Sequence, residues 1–308
     1  MSFRSARRSA VSILLLLSLG PAAVAAAGAS SAPPPPDVAA FVEAERAFAR
    51  DALARGITPA FIAALAAQSI LLRPGPLDAQ SWLASHPGNG EARLTWEPCY
   101  AEVSVGGDVG WTTGPWDYRR TANDKPIAFG HYATVWRRQP DGTLRAVIDA
   151  GHQHDRGAPE PLTWSRAGDA SRPAKQPAKS RRATAERSLF AAEQAYAAAI
   201  GREGWALALA AHAARDVRLG RDEAPQTIGS AVAGEALGAA WARTTPAWSE
   251  PAGGASEAGD LGYTYGTVTP PAGERQAFLH VWRNPDAKRW RLALDVMTPA
   301  PEPPTAPQ

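Results

Sequence analysis

The sequence predicts an α+β protein built from two similar domains in tandem, each with helices first and an antiparallel sheet after them. Three observations predict this arrangement. The chain has 308 residues, which suits two domains at ~150 residues each. In each half, apolar residues recur first at helical spacing and then in short runs typical of strands. Short blocks of the first half also recur in the second half, in the same order.

The first 27 residues are typical of a signal peptide. Arg4, Arg7 and Arg8 precede an apolar core at Val11–Leu19, and Ala22–Ala27 supplies small residues for cleavage. The apolar core is too short to span a bilayer of ~30 Å, so an uncleaved anchor is the less favoured alternative. We expect an exported protein, periplasmic or extracellular, with no transmembrane segment in the mature chain.

The sequence of the first copy predicts two helices followed by strands. Val38–Arg55 has apolar residues at helical spacing, with Asp37 as a plausible N-cap and Gly56 after its end. Pro59–Ser69 is predicted as a second helix because proline suits a first turn. Asp141-Gly142 is a hairpin signal between the last two strands. The predicted strands are Leu94–Val105, Val109–Tyr118, His131–Arg138 and Leu144–His152.

The second copy repeats this order. Helices are predicted at Ala185–Ile200 and Trp205–Ala214, and Asn284–Asp286 supplies the last turn. The predicted strands are Gly262–Val268, Gln276–Arg283 and Trp290–Met297.

The repeated blocks define the domain boundaries. The paired blocks are Ala44–Phe48 with Ala192–Tyr196, Trp96–Pro98 with Trp248–Pro251, Gly110–Gly114 with Gly262–Gly266, Val135–Arg137 with Val281–Arg283, and Asp149 with Asp295. Spacing is kept within elements and varies in loops, as a duplicated fold predicts. The predicted parts are a Pro-rich spacer at 28–37, copy 1 at 38–155, a basic Pro-containing linker at 156–183, copy 2 at 184–298 and a Pro-rich tail at 299–308.

Charge and cysteine content exclude several classes of protein. The chain has 32 basic and 30 acidic residues, and three of the basic ones lie in the leader, so the remainder is nearly neutral. We expect no nucleic-acid partner. The single cysteine, Cys99, excludes an internal disulfide and is interpreted as a half-buried strand residue. The basic linker could contact an anionic surface, although plain solubility also explains it.

These blocks resemble the nuclear transport factor 2-like superfamily, in particular exported members of unknown function related to SnoaL-like polyketide cyclases and ketosteroid isomerases. The resemblance is carried by Glu45, Phe48, Gly110–Gly114, Val135–Arg137 and Ile148-Asp149, and by Glu193, Tyr196, Gly262–Gly266, Val281–Arg283 and Leu294-Asp295. It implies a cone: a bent sheet around a hydrophobic pocket that the helices close. It also implies pairing through outer sheet faces, so two linked copies could form an internal pseudo-dimer. The superfamily contains both enzymes and binding modules, so the fold implies no single activity.

Asp149 and Asp295 are the first candidates for chemistry, because a carboxylate in an apolar pocket can serve as a base. Strand alternation puts each on the face opposite the strongest apolar stripe of its strand, which favours a structural or interface role. His131 and His152 are further catalytic candidates. His152 and His154 could share one face and bind a metal, but no third ligand motif accompanies them, so we expect no metal and no cofactor.

Aromatic residues are the candidates for a ligand pocket, although core packing explains them as well. The chain has 11 Trp. The candidates in or near the strands are Trp96, Trp111, Trp136, Trp248, Tyr263 and Trp282.

Three functions remain open. No Gly-rich phosphate loop, nucleophile elbow or His-Glu-x-x-His motif is present in the sequence. The favoured interpretation is a non-catalytic exported module that binds a small hydrophobic ligand or an envelope partner. The alternatives are a lyase or isomerase of the ketosteroid-isomerase or polyketide-cyclase type, acting on a hydrophobic substrate, and a structural scaffold. We expect the first copy to keep the open pocket, since it holds His131, His152 and His154.

Overall fold

The computed structural model describes residues 32–88, 90–168, 178–238, 245–271 and 273–300. The expected signal peptide lies outside the described residues, as do parts of the expected spacer, linker and tail. No helix within the described ranges is long and apolar enough to cross a membrane.

The first half begins with helices, as predicted. The helices are α1 (Pro36–Arg55), α2 (Ile57–Ala64) and α3 (Ala79–Ser85). The strands are β1 (Leu65–Leu71), β2 (Leu77–Asp78), β3 (Arg93–Trp96), β4 (Tyr100–Val103), β5 (Val109–Arg119), β6 (Ala128–Arg138), β7 (Leu144–Gln153) and β8 (Thr163–Arg166).

The second half has closely similar elements in the same order. The helices are α4 (Ala178–Glu203), α5 (Trp205–His212) and α6 (Ser230–Gly238). The strands are β9 (Ala213–Arg221), β10 (Ala224–Ile228), β11 (Ala247–Trp248), β12 (Ala252–Ala255), β13 (Leu261–Thr269), β14 (Gln276–Arg283) and β15 (Arg291–Pro299).

Both sheets are mixed, which corrects the prediction of purely antiparallel sheets. The strand order is β2-β1-β7-β6-β5-β4-β8 in the first sheet and β10-β9-β15-β14-β13-β11 in the second. The central strands form the expected antiparallel meander. However, β1 runs parallel to β7, β8 parallel to β4, and β9 parallel to β15. The added parallel strands come from segments in which sequence periodicity did not show a strand.

The second predicted helix of each half ends early. The predicted helix Pro59–Ser69 ends at Ala64, and Leu65–Leu71 continues as a strand. The predicted helix Trp205–Ala214 ends at His212 in the same way. A short apolar run fits a buried strand as well as a helix, so periodicity alone could not place these boundaries.

The predicted strand Leu94–Val105 is interrupted at Glu97–Cys99, which separates β3 from β4. Both pieces pair with β5. Gly114 of β5 lies against the interruption, where an added Cβ would come within 1.9 Å of the Glu97 carbonyl oxygen. A side chain at that position would therefore displace the strand.

Buried side chains form three clusters. One lies between the helices and sheet of the first half and another between the helices and sheet of the second half. The third contains residues of both sheets, including Trp111, Val135, Tyr263 and Val281. The faces of the two sheets that point away from their helices therefore pack against each other.

The contacts between the halves include a reciprocal pair. The Val105 amide donates to Asp260 Oδ2 at 2.8 Å, and the Glu257 amide donates to Asp108 Oδ2 at 2.8 Å. Each acid lies in the loop before a long central strand of its own half. The two hydrogen bonds are therefore reciprocal between the halves.

Candidate functional site

A pocket opens in the first half between α1, α2 and the sheet. Its volume is about 460 Å³. Its wall is mostly aromatic and aliphatic, which suits a small apolar molecule. The lining residues are Phe48, Phe61, Arg73, Leu94, Trp96, Trp116, Tyr118, Ile127, Ala128, Tyr132, Asp149, Ala150, Gly151 and Gln153.

Strand alternation determines which side chains reach this pocket. Successive residues of a strand point to opposite faces of the sheet. Trp116 and Tyr118 of β5 share the face toward the helices, as does Tyr132 of β6. Trp111 belongs instead to the cluster between the two sheets.

Asp149 is the acidic residue in the pocket lining. Its Oδ2 accepts a hydrogen bond from the Thr134 hydroxyl at 3.1 Å. Burial, with a further contribution from the negative charge of Glu45, raises the pKa of Asp149 to about 8. The hydrogen bond from Thr134 opposes this shift. At neutral pH the carboxyl group is therefore mostly protonated, and it exchanges protons near physiological pH.

Glu45 lies behind the pocket wall and is 0% exposed. Its carboxylate accepts hydrogen bonds from Trp96 Nε1 at 2.6 Å, Trp136 Nε1 at 2.8 Å and the Thr112 hydroxyl at 2.5 Å. Burial raises the pKa of Glu45, and these donors oppose the rise. Because its oxygens are occupied, Glu45 orients the wall, including Trp96, rather than facing a ligand.

Tyr132 brings a second polar group to the pocket lining. Its hydroxyl is buried and has no hydrogen-bond partner among the described residues. Burial, together with the negative charge of Glu45, raises the pKa of Tyr132 well above its ordinary value, and the nearby Thr112 hydroxyl opposes the rise. The hydroxyl therefore stays protonated and is available to donate a hydrogen bond. Leaving a buried polar group unsatisfied costs about 1–3 kcal/mol, which a ligand acceptor would offset.

The second half has a charged network at the matching register. His280 pairs with Asp295 across β14 and β15, as Thr134 pairs with Asp149 across β6 and β7. The His280 ring lies 3.0 Å from Glu193 and 3.5 Å from Asp295. Arg221 lies 2.8 Å from Asp295.

The ionisation of this network differs from that of Asp149. Burial opposes charge on His280, but the carboxylates of Glu193 and Asp295 raise its pKa to about 9. Burial likewise opposes charge on Asp295, but Arg221 and His280 lower its pKa to about 2. The same aspartate position is therefore a paired carboxylate in one half and an unpaired acid in the other.

The apolar stripe expected opposite Asp149 is divided between the two faces of β7. A bulge opposite Val135 and Trp136 shifts the register within β7. Ala146 therefore packs against the helices while Ile148 packs between the sheets. The apolar stripe is split, and Asp149 lies in the pocket rather than at an interface.

The other catalytic candidates lie elsewhere. Asp295 is fully buried in the ion-pair network of the second half. His131 is paired with His152 across β6 and β7, and neither lines the pocket. They lie together with His154 in a separate cluster.

Among the six aromatic candidates, Trp96 lines the pocket. Trp111 and Tyr263 lie in the cluster between the sheets. Trp136 and Trp282 are buried in the cores of their own halves, and Trp248 packs against the second core. These five do not line the pocket. The sequence could not exclude them, because an aromatic-rich strand gives no sign of which of its faces is open.

Sequence reasoning missed Tyr132, Thr134 and Arg73. Tyr132 and Thr134 share the face of β6 toward the helices, and alternation could have placed them once the register of Asp149 was known. Arg73 lines the pocket and pairs with Asp222 of the second half at 2.7 Å. Such a contact between distant segments leaves no local signal.

No family model matches the sequence, and no curated protein matches it. Solved structures that resemble part of the chain include a ketosteroid isomerase-like protein from Erwinia carotovora, at 15% identity and a TM-score of 0.32, over 38% of this chain and 96% of that one. A domain of unknown function with a cystatin-like fold from Nostoc punctiforme has 15% identity and a TM-score of 0.31, over 37% of this chain and 75% of that one. A proposed polyketide cyclase from Xanthomonas campestris has 18% identity and a TM-score of 0.28, over 38% of this chain and 90% of that one. At such scores these likenesses carry no inference about function, which depends on the side chains of this chain.

Proposed function

We propose that the first half binds a small, largely apolar molecule in the pocket. Asp149 then accepts a proton from this molecule or donates one to it, as the acid or base of an isomerase or lyase does. The observation that carries this proposal is the Asp149 carboxyl group, which lines an apolar pocket with a pKa of about 8. A general acid or base works best when its pKa is near the working pH.

Tyr132 supports the proposal by supplying a second polar group. An apolar ligand with one carbonyl or hydroxyl oxygen could accept from the unpartnered Tyr132 hydroxyl while its carbon skeleton packs on Trp96 and Trp116. The protonated form of Asp149 can donate to the same ligand, and the ionised form can accept a proton from it. Hydrogen bonds within an apolar pocket stabilise developing negative charge more strongly than they do in water.

A second candidate function is binding without catalysis. It is favoured by the sequestration of Glu45, whose carboxylate is held by three donors and is not free to act as a partner acid or base. In this alternative Asp149 and Tyr132 only orient the ligand.

We also propose that the halves are two copies of a nuclear transport factor 2-like domain paired as an internal pseudo-dimer, in an exported protein. The common order of elements and the reciprocal hydrogen bonds of Asp108 and Asp260 support the pairing. Export is supported by the leader-like first 27 residues.

Binding and turnover can be separated in one experiment. A panel of apolar ketones, including β,γ-unsaturated ones, is titrated against the protein, with Trp fluorescence reporting binding and ultraviolet absorbance reporting conjugation. We expect the wild-type protein to bind and isomerise at least one ketone. Asp149→Asn should keep binding and lose at least ~100-fold in rate, the size of a general-base contribution.

Two control variants sharpen the result. Asp141→Asn changes an exposed turn acid and should alter neither readout. Ala128→Trp fills the pocket and should abolish binding. Binding without turnover in the wild-type protein would favour the second candidate, and binding that survives Ala128→Trp would contradict both.

A further inference from the structure

Three histidines meet on the face of the first sheet that points away from the pocket. His131 of β6 pairs with His152 at the end of β7, and His154 follows that strand directly. Each of the three side chains offers a nitrogen within 4.8 Å of the other two. All three residues are buried, and His152 is 0% exposed. They contribute nothing to the pocket lining, so the proposed proton transfer does not explain them.

One ring nitrogen of each histidine has an oxygen partner outside the cluster. His152 Nδ1 lies 3.1 Å from the Arg221 carbonyl oxygen, and His154 Nδ1 lies 2.5 Å from the Asp155 carbonyl oxygen. A carbonyl oxygen only accepts hydrogen bonds, so both Nδ1 atoms carry the proton. The Nε2 atoms of His152 and His154 therefore carry lone pairs.

His131 follows the same rule with its nitrogens exchanged. Its Nε2 lies 2.8 Å from Glu160 Oε1, so the carboxylate holds the proton on Nε2, and Nδ1 of the neutral ring carries the lone pair. That Nδ1 lies 2.7 Å from His154 Nε2. Two lone pairs that face each other at this distance repel unless a proton or a metal cation lies between them.

His152 supplies an independent observation. Its Nε2 is buried and has no hydrogen-bond partner among the described residues. The ring also fits closely against the second half, because a Cβ added to Gly220 would lie 2.5 Å from His152 Cδ2. The imidazole of His152 therefore fits between the two halves only because Gly220 has no side chain.

We propose that His131 Nδ1, His152 Nε2 and His154 Nε2 bind a divalent transition-metal ion, of which Zn²⁺ is the best match. Imidazole nitrogens suit zinc, copper and nickel rather than the oxygen-preferring magnesium and calcium. The outer partners, the Glu160 carboxylate and the Arg221 and Asp155 carbonyls, orient the rings as the second shell of a metal site does. The ion would fix the segment after β7 against β6 and against β9 of the second half.

The test is a Zn²⁺ titration of the metal-stripped full chain, made without a histidine tag, in competition with a chromophoric chelator. We expect one equivalent to bind with a dissociation constant below ~1 μM, since three oriented imidazoles form a preorganised site. Glu160→Gln should weaken binding ~10–100-fold, the usual effect of losing an outer-shell partner. His154→Gln removes a ligand and should weaken it by more than Glu160→Gln does.

His86→Ala is the matched control, because His86 is exposed and lies outside the cluster. Circular dichroism establishes that each variant is folded, and Co²⁺ absorbance reports the coordination of the ion. Zn²⁺ should raise the melting temperature of the wild-type and His86→Ala proteins but not of folded His154→Gln. A wild-type protein without a stoichiometric site, or equal binding by His154→Gln and Glu160→Gln, would overturn the proposal in favour of a proton shared between the rings.

Discussion

The hydroxyl of Thr134 donates to the carboxyl group of Asp149 at 3.1 Å, and this pair occupies the register position at which the second half places two charged side chains. In the second half Arg221, together with a histidine in place of the threonine, keeps the aspartate ionised. With only a hydroxyl beside it, Asp149 has no adjacent positive charge to offset burial. The charges of Arg221 and His280 thus separate a stabilising ion-pair network from a reactive acid.

Asp149→Asn should stabilise the protein at neutral and mildly alkaline pH. The pKa of Asp149 is raised from 3.8 to about 8 by folding. The unfolded chain therefore ionises above pH ~4 while the folded one keeps its proton, and wild-type stability falls across that interval. We expect the free energy of unfolding of the variant to exceed that of the wild-type protein by on the order of 1–3 kcal/mol at pH 7.5 and to equal it at pH 4, as measured by denaturant unfolding. An equal effect at both values of pH would contradict this account.

Tyr132→Phe should leave stability unchanged or slightly raised, because it removes a buried hydroxyl that has no partner. The same change should raise the dissociation constant of a ketone ligand ~10-fold, which corresponds to the loss of one hydrogen bond to the ligand. Fluorescence titration and thermal unfolding measure the two effects. Tyr118→Phe, at a more exposed part of the lining, is the matched control. A large loss of stability in Tyr132→Phe would indicate that the hydroxyl is already paired.

His280→Gln should destabilise the second half by about 3–5 kcal/mol, because it leaves two buried carboxylates without their shared cation. Folding raises the pKa of His280 from 6.5 to about 9. Its contribution is therefore complete below pH ~6.5 and is lost as the pH rises through about 9. Unfolding measured from pH 6 to 10 should show this loss in the wild-type protein but not in His280→Gln. His212→Gln, at a half-buried helix end outside the network, should behave as the wild-type protein does.

Arg283→Met should loosen the contact between the halves. The Arg283 guanidinium lies 2.9 Å from Glu102 of the first half and 2.8 Å from Asp216, and all three are largely buried. Removing one partner from such a network costs about 3–5 kcal/mol. Arg46→Met breaks the exposed pair with Glu97 and should cost less than ~1 kcal/mol. Calorimetry should resolve separate transitions for the halves in Arg283→Met alone; a single unchanged transition would argue against this role.

The sequence predicted the long elements well and the short ones poorly. The helix at α1 and the strands β5, β6 and β7 have strong periodicity and clear ends, such as Gly56 and Asp141-Gly142. The parallel strand β1 was missed because Leu65–Leu71 follows a helix directly and has an ambiguous apolar pattern. Only the pairing with β7, which is remote in sequence, makes it a strand.

The site was predictable in its residue types but not in its geometry. Asp149 was a candidate from its position alone, yet the bulge in β7 that turns it into the pocket has no sequence signature. His152 and His154 were visible as a pair, whereas His131 joins them only through strand register. Periodicity within one strand gives the two faces, and the choice between them depends on which face the helices cover.

The pKa of Asp149 itself decides whether this residue can transfer a proton near neutral pH. It can be followed through the carbon-13 resonance of its carboxyl group, assigned by comparison with Asp149→Asn, in a titration from pH 3 to 10. We predict a midpoint near 8, because the carboxyl group lies in an apolar pocket with Thr134 as its hydrogen-bond donor. A midpoint near 3.8, the ordinary value for an aspartate, would mean that the group is solvated and ionised and would contradict its role in proton transfer.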